Sequence, residues 1–198
     1  MKRVGILGGT FDPVHCGHMI IARAALEQFS LDRVLIMTGG NPPHKMDRRI
    51  TPAAARHEMV KLAAENEKGI EPFDFELNRN EPTYTVNTLR ELKRKYPDTE
   101  FFFIIGEDSL LDLPKWYKPR EIMELCRILV YPRGSRGSLA ELVQLRRREF
   151  GDRFMILDSP VIGISSTYLR ERISMGRSIR YFVPDRVLAY IEENKVYG

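Results

Sequence analysis

Residues 2–18 read KRVGILGGTFDPVHCGH, in which an apolar run, a glycine-rich turn and the beginning of a helix follow one another. Lys2–Leu7 has the Val, Ile and Leu content typical of a strand buried on both faces of a parallel sheet. Gly8 and Gly9 allow the backbone to approach a ligand closely. The helix predicted from Gly17 offers unpaired N–H groups and a positive dipole end to an anion. The stretch therefore predicts a phosphate-binding strand, turn and helix.

The spacing of the glycines in this turn disfavours two common classes of nucleotide-binding protein. It is neither the Gly-x-Gly-x-x-Gly pattern of dinucleotide binding nor the Gly-Lys-Ser/Thr pattern of a P-loop, which disfavours hydride transfer and ordinary kinase or ATPase activity. The turn instead carries two imidazoles, His15 and His18, whose spacing can aim both rings at one ligand above the first helical turn. That ligand could be a phosphate or a metal, although a zinc site would need three or four ligands. A helix-capping histidine and nucleophilic catalysis are the other interpretations.

Apolar runs and amphipathic segments alternate along the rest of the chain. Further strands are predicted at Arg33–Met37, Ile70–Leu77, Phe101–Ile105, Ile128–Val130 and Phe154–Leu157. Helices are predicted at Gly17–Phe29, Pro52–Glu65, Thr85–Lys95, Pro119–Leu125 and Leu139–Arg148. This alternation predicts an α/β fold, a Rossmann-like doubly wound parallel sheet with flanking helices, in a single domain over residues 1–198. Ligands then lie beyond the carboxyl ends of the strands, so functional residues are expected just after Leu7, Met37, Ile105 and Leu157.

Composition excludes several classes of protein. The 198 residues are 43% hydrophobic and 29% charged, with a net charge of +4 and a pI near 9.1, so a predominantly disordered chain is not expected. Two cysteines far apart, Cys16 and Cys126, predict a cytoplasmic protein without disulfides. No apolar run reaches the ~20 residues of a membrane helix. Basic clusters such as Arg146–Arg148 are interpreted as solvated helix faces, and no nucleic-acid partner is predicted.

A second candidate phosphate site lies near the other end of the sequence. Ile164–Arg170 reads ISSTYLR and follows the strand predicted to end at Leu157. Ser165, Ser166 and Thr167 are residue types that cap helices, and Arg170 lies about one turn further on. Hydroxyls, backbone N–H groups and a guanidinium could thus converge on one anion. Two phosphate sites at two strand ends indicate a polyphosphate ligand.

These two segments resemble known signatures. Gly8–His18 is similar to the GGTFDPxHxGH signature of the nucleotidylyltransferase superfamily, and Ile164–Arg170 is similar to its ISSTxxR signature. Three further segments make the chain resemble the bacterial nicotinate-nucleotide adenylyltransferases in particular. These are Asn41–Lys45, Pro82–Leu89, and Gly106–Asp108 together with Trp116. The resemblance covers essentially the whole chain, with mild departures at Leu169 and Cys16.

The resemblance implies adenylyl transfer from ATP to nicotinate mononucleotide, giving deamido-NAD and pyrophosphate. The acceptor's phosphate is already an anion, so the reaction depends on stabilising charge on the α-phosphate and on the leaving pyrophosphate rather than on a general base. His18, His15 and Arg170 are the implied catalytic residues. The implied ATP-binding residues are Gly9, Thr10, Phe11, His15, His18, Gly106, Asp108, Ser166, Thr167 and Arg170. Mg²⁺ is expected to arrive with ATP, and no protein metal site is predicted.

The same resemblance implies an acceptor site made by Lys45, Thr85, Trp116 and Tyr117. Lys45 would meet the acceptor's phosphate and Trp116 would stack on its pyridine ring, whereas Asp108 would accept hydrogen bonds from a ribose on the adenosine side. The residues alone also admit a solvated Lys45, a packed Trp116 and a helix-capping Asp108. Arg56 and His57 are expected at the surface.

Two alternatives remain open at this point. The acceptor could instead be nicotinamide mononucleotide or phosphopantetheine, and the chain could be a nucleotide- or RNA-binding regulator rather than an enzyme. The pattern does not determine the oligomeric state. The apolar face of a helix predicted at Pro184–Glu193 fits docking on the chain's own sheet or on another subunit.

Overall fold

Six parallel strands form the sheet, and their order places β1 beside β4 at its centre. The computed structural model describes residues 1–40, 50–77, 83–134 and 138–197. The strands are β1 (Lys2–Gly9), β2 (Arg33–Thr38), β3 (Ile70–Phe73), β4 (Thr99–Gly106), β5 (Cys126–Tyr131) and β6 (Phe154–Ile156). Their order across the sheet is β3-β2-β1-β4-β5-β6, and every neighbouring pair is parallel. The predicted doubly wound parallel sheet is confirmed.

Helices connect the strands and cover both faces of the sheet. They are α1 (Cys16–Gln28), α2 (Ala53–Ala64), α3 (Thr85–Lys95), α4 (Glu107–Asp112), α5 (Pro119–Leu125), α6 (Leu139–Phe150), α7 (Ser166–Ser174) and α8 (Asp185–Glu193), with a 3₁₀ turn at Leu113–Lys115. In the described part of the chain, no helix is long and apolar enough to cross a membrane.

The sheet separates two apolar cores because successive side chains of a strand point to opposite faces. In β4, Phe102 and Ile104 belong to one core, whereas Phe101, Phe103 and Ile105 belong to the other. Helices α1, α2 and α8 contribute side chains to the first core, and α3, α5 and α6 contribute to the second. Each fully buried large apolar side chain stabilises the fold by about 1.5–3 kcal/mol.

The structure corrects or completes the sequence prediction at three elements. Strand β3 ends at Phe73 instead of Leu77, because the following residues form a turn in which the Leu77 N–H donates to the Asp74 carbonyl at 2.9 Å. Helix α2 begins at Ala53, one residue later than predicted. The apolar face of α8 packs into the same core as β1 and β2, so this helix docks on the chain's own sheet.

The prediction that Arg56 lies at the surface is wrong. Its side chain is 1% exposed and donates to four backbone carbonyls. Nε donates to Thr51 O at 2.9 Å, Nη1 donates to Thr10 O at 2.5 Å and to Gly39 O at 2.9 Å, and Nη2 donates to Gly40 O at 2.9 Å. Arg56 thus joins the turn after β1, the segment after β2 and the start of α2. His57 is half-buried rather than exposed, with its Nδ1 3.2 Å from Thr38 Oγ1.

Replacing Arg56 measures how much this hydrogen-bond network contributes to the stability of the fold. Arg56→Met keeps most of the apolar stem but removes the donors for four carbonyls, so we expect the free energy of unfolding to fall by about 3–5 kcal/mol. Urea denaturation of the two proteins measures the difference. The control is Arg94→Met on the exposed side of α3, where a change within about 0.5 kcal/mol is expected. Equal losses in both variants would contradict a structural role for the buried guanidinium.

Candidate active site

A cleft of about 580 Å³ opens at the carboxyl ends of β1 and β4. This is the point where the sheet order reverses, because β2 follows β1 on one side and β5 follows β4 on the other. Most of the predicted site residues line this cleft. They are Gly9, Thr10, Phe11, His15, His18, Thr85, Gly106, Asp108, Trp116, Ser166, Thr167 and Arg170. Lys45 lies outside the described residues, and Tyr117 lies in an adjoining cavity.

The glycine-rich turn after β1 owes its shape to Gly9 and Phe11. Phe11 has a left-handed backbone with φ of 51°, and its ring lies against Gly9, where an added Cβ would come within 2.9 Å of the ring. The same ring meets His18 edge-on, with 4.9 Å between the ring centroids. The Asp12-Pro13 peptide bond is cis. Gly9 therefore makes room for the aromatic ring that supports His18.

His15 and His18 form a stacked pair at the start of α1. His15 is the residue preceding the helix, and the two ring centroids are 3.6 Å apart at an angle of 20°. The backbone N–H of His15 donates to His18 Nδ1 at 3.2 Å. Because Nδ1 accepts this hydrogen bond, a neutral His18 ring carries its proton on Nε2. His18 is therefore presented as a hydrogen-bond donor through Nε2.

Burial keeps both histidines uncharged near neutral pH. Burial and the positive charge of Arg133 lower the pKa of His15 from 6.5 to about 4. Burial, the neighbouring His15 and Arg133 hold the pKa of His18 well below 6.5. Two neutral imidazoles, rather than two imidazolium cations, thus face the cleft.

The second motif meets the first one through side-chain hydrogen bonds. Ser165 caps α7, accepting from the Tyr168 N–H at 3.2 Å. Ser166 Oγ donates to the Pro13 carbonyl at 2.9 Å. Arg170 Nη1 donates to the Asp12 carbonyl at 2.6 Å. The start of α7 is therefore fixed to the turn after β1, across more than 150 residues of sequence.

Thr167 completes this end of the cleft. Arg170 Nη2 donates to Thr167 Oγ1 at 3.3 Å, so the guanidinium is oriented by one backbone and one side-chain acceptor. A guanidinium has five N–H groups, which leaves further donors for an anionic ligand.

Aromatic side chains gather at the opposite end of the cleft, next to the start of α3. Trp116 meets Phe103 edge-on at 6.3 Å between ring centroids, and it lines both the main cleft and an adjoining cavity of about 620 Å³. Tyr117 belongs only to the adjoining cavity, where its ring lies 4.9 Å from that of Tyr84. Thr85 is the first residue of α3, and among the described residues no side chain caps this helix. Its first N–H groups therefore remain available to an anion.

The sequence did not predict several residues that line the cleft, among them Arg133 and Glu76. Arg133 follows β5, donates through Nη2 to Tyr131 Oη at 2.9 Å and lies 3.5 Å from Asp108. The sequence signal for Arg133 is its position just beyond the carboxyl end of the strand predicted at Ile128–Val130. Glu76 is 7% exposed and accepts from Thr83 Oγ1 at 3.1 Å and Thr88 Oγ1 at 2.5 Å.

Metal-ligating side chains are not clustered in this part of the molecule. Within residues 1–40, 50–77, 83–134 and 138–197, no group of three or more His, Cys, Asp or Glu side chains could hold a metal ion. Beside the carboxylates of Asp12, Glu76 and Asp108, the polar groups of the cleft are imidazoles, hydroxyls, guanidiniums and helix N-termini. This donor set suits anionic oxygens better than a resident cation.

Comparison with known proteins assigns the chain to a family. Residues 6–172 match the model of the cytidylyltransferase-like family. A protein of Synechococcus sp. (strain JA-3-3Ab), named "Probable nicotinate-nucleotide adenylyltransferase", is 46% identical over 99% of this chain and 95% of its own length. A protein of the same name from Clostridium botulinum (strain Loch Maree / Type A3) is 38% identical over 100% of both chains.

A solved structure shares the fold. Plasmodium falciparum nicotinic acid mononucleotide adenylyltransferase complexed with NaAD superposes with a TM-score of 0.83 at 20% identity, covering 100% of this chain and 98% of that one. The family model spans most of the chain, and both relatives match it nearly end to end. The chain therefore belongs to the cytidylyltransferase-like family and, within it, to the nicotinate-nucleotide adenylyltransferases.

Proposed function

We propose that this chain transfers the adenylyl group of ATP to nicotinate mononucleotide, giving deamido-NAD and pyrophosphate in NAD biosynthesis. The observation that carries the proposal is the joining of the two phosphate-directed motifs at one cleft, through the hydrogen bonds of Ser166 to Pro13 and of Arg170 to Asp12. His18 faces the same cleft. The names of the relatives support the choice of acceptor.

In the proposed reaction, a phosphate oxygen of the acceptor attacks the α-phosphorus of ATP. A new P–O bond forms as the bond to pyrophosphate breaks, and no proton has to be removed from the nucleophile. His18 donates from Nε2–H to a non-bridging α-phosphate oxygen, where negative charge increases in the transition state. His15 stacks on His18 and supplies the backbone N–H that fixes its tautomer. Preorganised donors of this kind lower the barrier without reorganising during the reaction.

The β- and γ-phosphates are proposed to lie against the start of α7. Arg170, Ser166 and Thr167 would hold them, with the free N–H groups at the start of α7 adding to the positive potential. Gly9, Thr10 and Phe11 would shape the adenosine side through their backbone. Arg133 supplies a further cation beside His15 and His18, which complements the charge of the triphosphate. Mg²⁺ is proposed to enter bound to ATP as part of the substrate.

The acceptor is proposed to lie between Trp116 and the start of α3. Trp116 covers the pyridine ring, and the backbone at Thr85 and Tyr117 approaches the substituent of that ring. Asp108, two residues after Gly106 at the end of β4, is proposed to accept from a ribose hydroxyl on the adenosine side. Lys45 is proposed to contact the acceptor's phosphate. The cytoplasm, where both substrates would be met, is the proposed location.

A panel of acceptors tests the proposed function. We expect pyrophosphate release with ATP to be fastest with nicotinate mononucleotide. Its kcat/KM should exceed that of the nicotinamide form by about tenfold to a hundredfold. A carboxylate gains about 1.5–3 kcal/mol from each hydrogen bond to a helix N-terminus, against about 0.5–1.5 kcal/mol for a neutral amide, and 1.4 kcal/mol is tenfold.

The panel also includes phosphopantetheine as acceptor and CTP as donor. Preference for either would overturn the proposed substrates while leaving nucleotidyl transfer intact. If no pyridine mononucleotide releases pyrophosphate from ATP, the chain is not this enzyme, and nucleotide binding without turnover would identify it as a binding protein.

Two substitutions of His18 test the neutral-donor mechanism. His18→Ala removes the Nε2–H group, so kcat should fall by about 10²–10³, whereas ATP affinity should change only a few fold. His18→Gln places an amide N–H near the position of Nε2 and should retain about tenfold more activity than His18→Ala. Steady-state kinetics and calorimetric ATP titrations measure both effects. Equal losses in the two variants would argue that a charged imidazolium is needed.

The protonation of His15 gives a separate test by NMR. Its pKa of about 4 means that the folded ring stays neutral as the pH falls from 8 to 5. An unfolded histidine protonates near 6.5, so between pH 6.5 and 4 the unfolded state binds more protons and the free energy of unfolding decreases as the pH falls. We expect a titration midpoint near 4 for the His15 ring and a loss of about 3 kcal/mol across this window. His15→Gln serves as the control, and a midpoint at 6.5 or above in the wild type would contradict this assignment.

A further inference from the structure

Asp12 belongs to the turn after β1, and its side chain connects this turn to the segment that follows α8. Its side chain is 5% exposed. Oδ1 accepts from the Tyr197 hydroxyl at 2.8 Å, and Oδ2 is 3.4 Å from the Thr51 N–H that donates to it. The Tyr197 contact is the shorter of the two and spans 185 residues of sequence.

The backbone of Asp12 carries the other half of this connection. The Asp12 carbonyl accepts from Arg170 Nη1 at 2.6 Å. Asp12 therefore receives a hydrogen bond from Tyr197 on its side chain and one from Arg170 on its main chain. A rotation of Asp12 that followed loss of the phenol contact would move the carbonyl on which Arg170 rests.

Tyr197 is held in place by its own packing. Its ring and Val196 pack against the core that contains Phe11 and Val14, and the Val196 N–H donates to the Ile191 carbonyl at 3.2 Å. Burial, the negative charge of Asp12 and the hydrogen bond to it raise the pKa of the Tyr197 phenol. The hydroxyl thus keeps its proton at neutral pH and donates it towards Asp12.

We propose that Tyr197 is a positioning residue for the triphosphate site, which acts through Asp12 to fix the turn after β1 and the guanidinium of Arg170. Tyr197 is not a cleft residue itself, since it is absent from the lining of the cavity at β1 and β4 among the described residues. This inference rests on the proposed adenylyl transfer. It assigns a role in ATP binding and turnover to a residue about 190 positions from the glycine-rich turn.

Tyr197→Phe tests the inference because it removes one hydroxyl and keeps the packed ring. We expect kcat to fall about tenfold, since small misplacements of a positioned group are costly to turnover. The Kd for ATP, measured by calorimetry, should rise severalfold. The KM for the acceptor should stay within about twofold, because the described hydrogen-bond partners of Asp12, which are Thr51, Arg170 and Tyr197, are not residues of the proposed acceptor site. The matched control is Tyr181→Phe, which removes the same group from a side chain that is 85% exposed.

A purely structural anchor gives a different result. In that case Tyr197→Phe lowers the unfolding temperature, but kcat and the Kd for ATP of the folded protein match those of Tyr181→Phe, which would overturn the inference. A double-mutant cycle with Asp12→Ala adds a second criterion. The effects on kcat should be non-additive if Tyr197 acts through Asp12, and additive effects would refute that route.

These experiments distinguish a failure of the proposed adenylyl transfer from a failure of the role proposed for Tyr197. If the wild type releases no pyrophosphate, the proposed function is wrong. The Kd of ATP for Tyr197→Phe still reports on the turn in that case. If the wild type is active but Tyr197→Phe is indistinguishable from Tyr181→Phe, only the role of Tyr197 is wrong.

Discussion

A buried guanidinium holds together the backbone segments on which the cleft is built. Strands β1 and β2 pair side by side, and the segments after them leave the sheet, where their carbonyls need hydrogen-bond partners outside the ladder. Arg56 supplies those partners at Thr10, Gly39 and Gly40, and it also holds Thr51 at the start of α2. Each of these carbonyls would cost about 1–3 kcal/mol if it were buried without a hydrogen bond. The Arg56 side chain therefore stabilises the backbone segments that form one side of the cleft.

The cleft combines two arginines with two uncharged imidazoles, beside the carboxylates of Asp12, Glu76 and Asp108. Arg133 and Arg170 provide permanent positive charge, and Arg133 also helps to keep both His15 and His18 neutral. A neutral donor costs less to bury than a cation, and it remains a donor over a wide pH range. The stacking of two rings 3.6 Å apart is compatible with this arrangement because at most weak repulsion acts between uncharged imidazoles.

Short sequence patterns were sufficient to predict the strands and helices of the fold. Contacts between residues far apart in the sequence could not be predicted in this way. The strand, turn and helix in residues 2–18 depend on glycine and on apolar periodicity, which are visible within a few residues. The burial of Arg56 depends on carbonyls contributed by residues 10, 39 and 40, and no local pattern marks an arginine that will meet them. Glu76 was hidden because the predicted strand extended to Leu77, whereas β3 ends at Phe73 and leaves the carboxylate beyond its carboxyl end. The proposed roles of the individual motif residues came from the family resemblance, because composition and periodicity alone do not assign them.

The bonds that join Pro13 to Ser166 and Asp12 to Arg170 span 153 and 158 residues. Closing loops of that length has a conformational entropy cost that is recovered only when the intervening strands have paired. The surface where these two segments meet therefore forms only when both ends of the sequence have been brought together by the sheet. Under the proposed function, a nucleotide bound there would stabilise the native state by RT ln(1 + [ligand]/Kd). A saturating nucleotide would then protect distant parts of the sheet, as well as the cleft, against global unfolding.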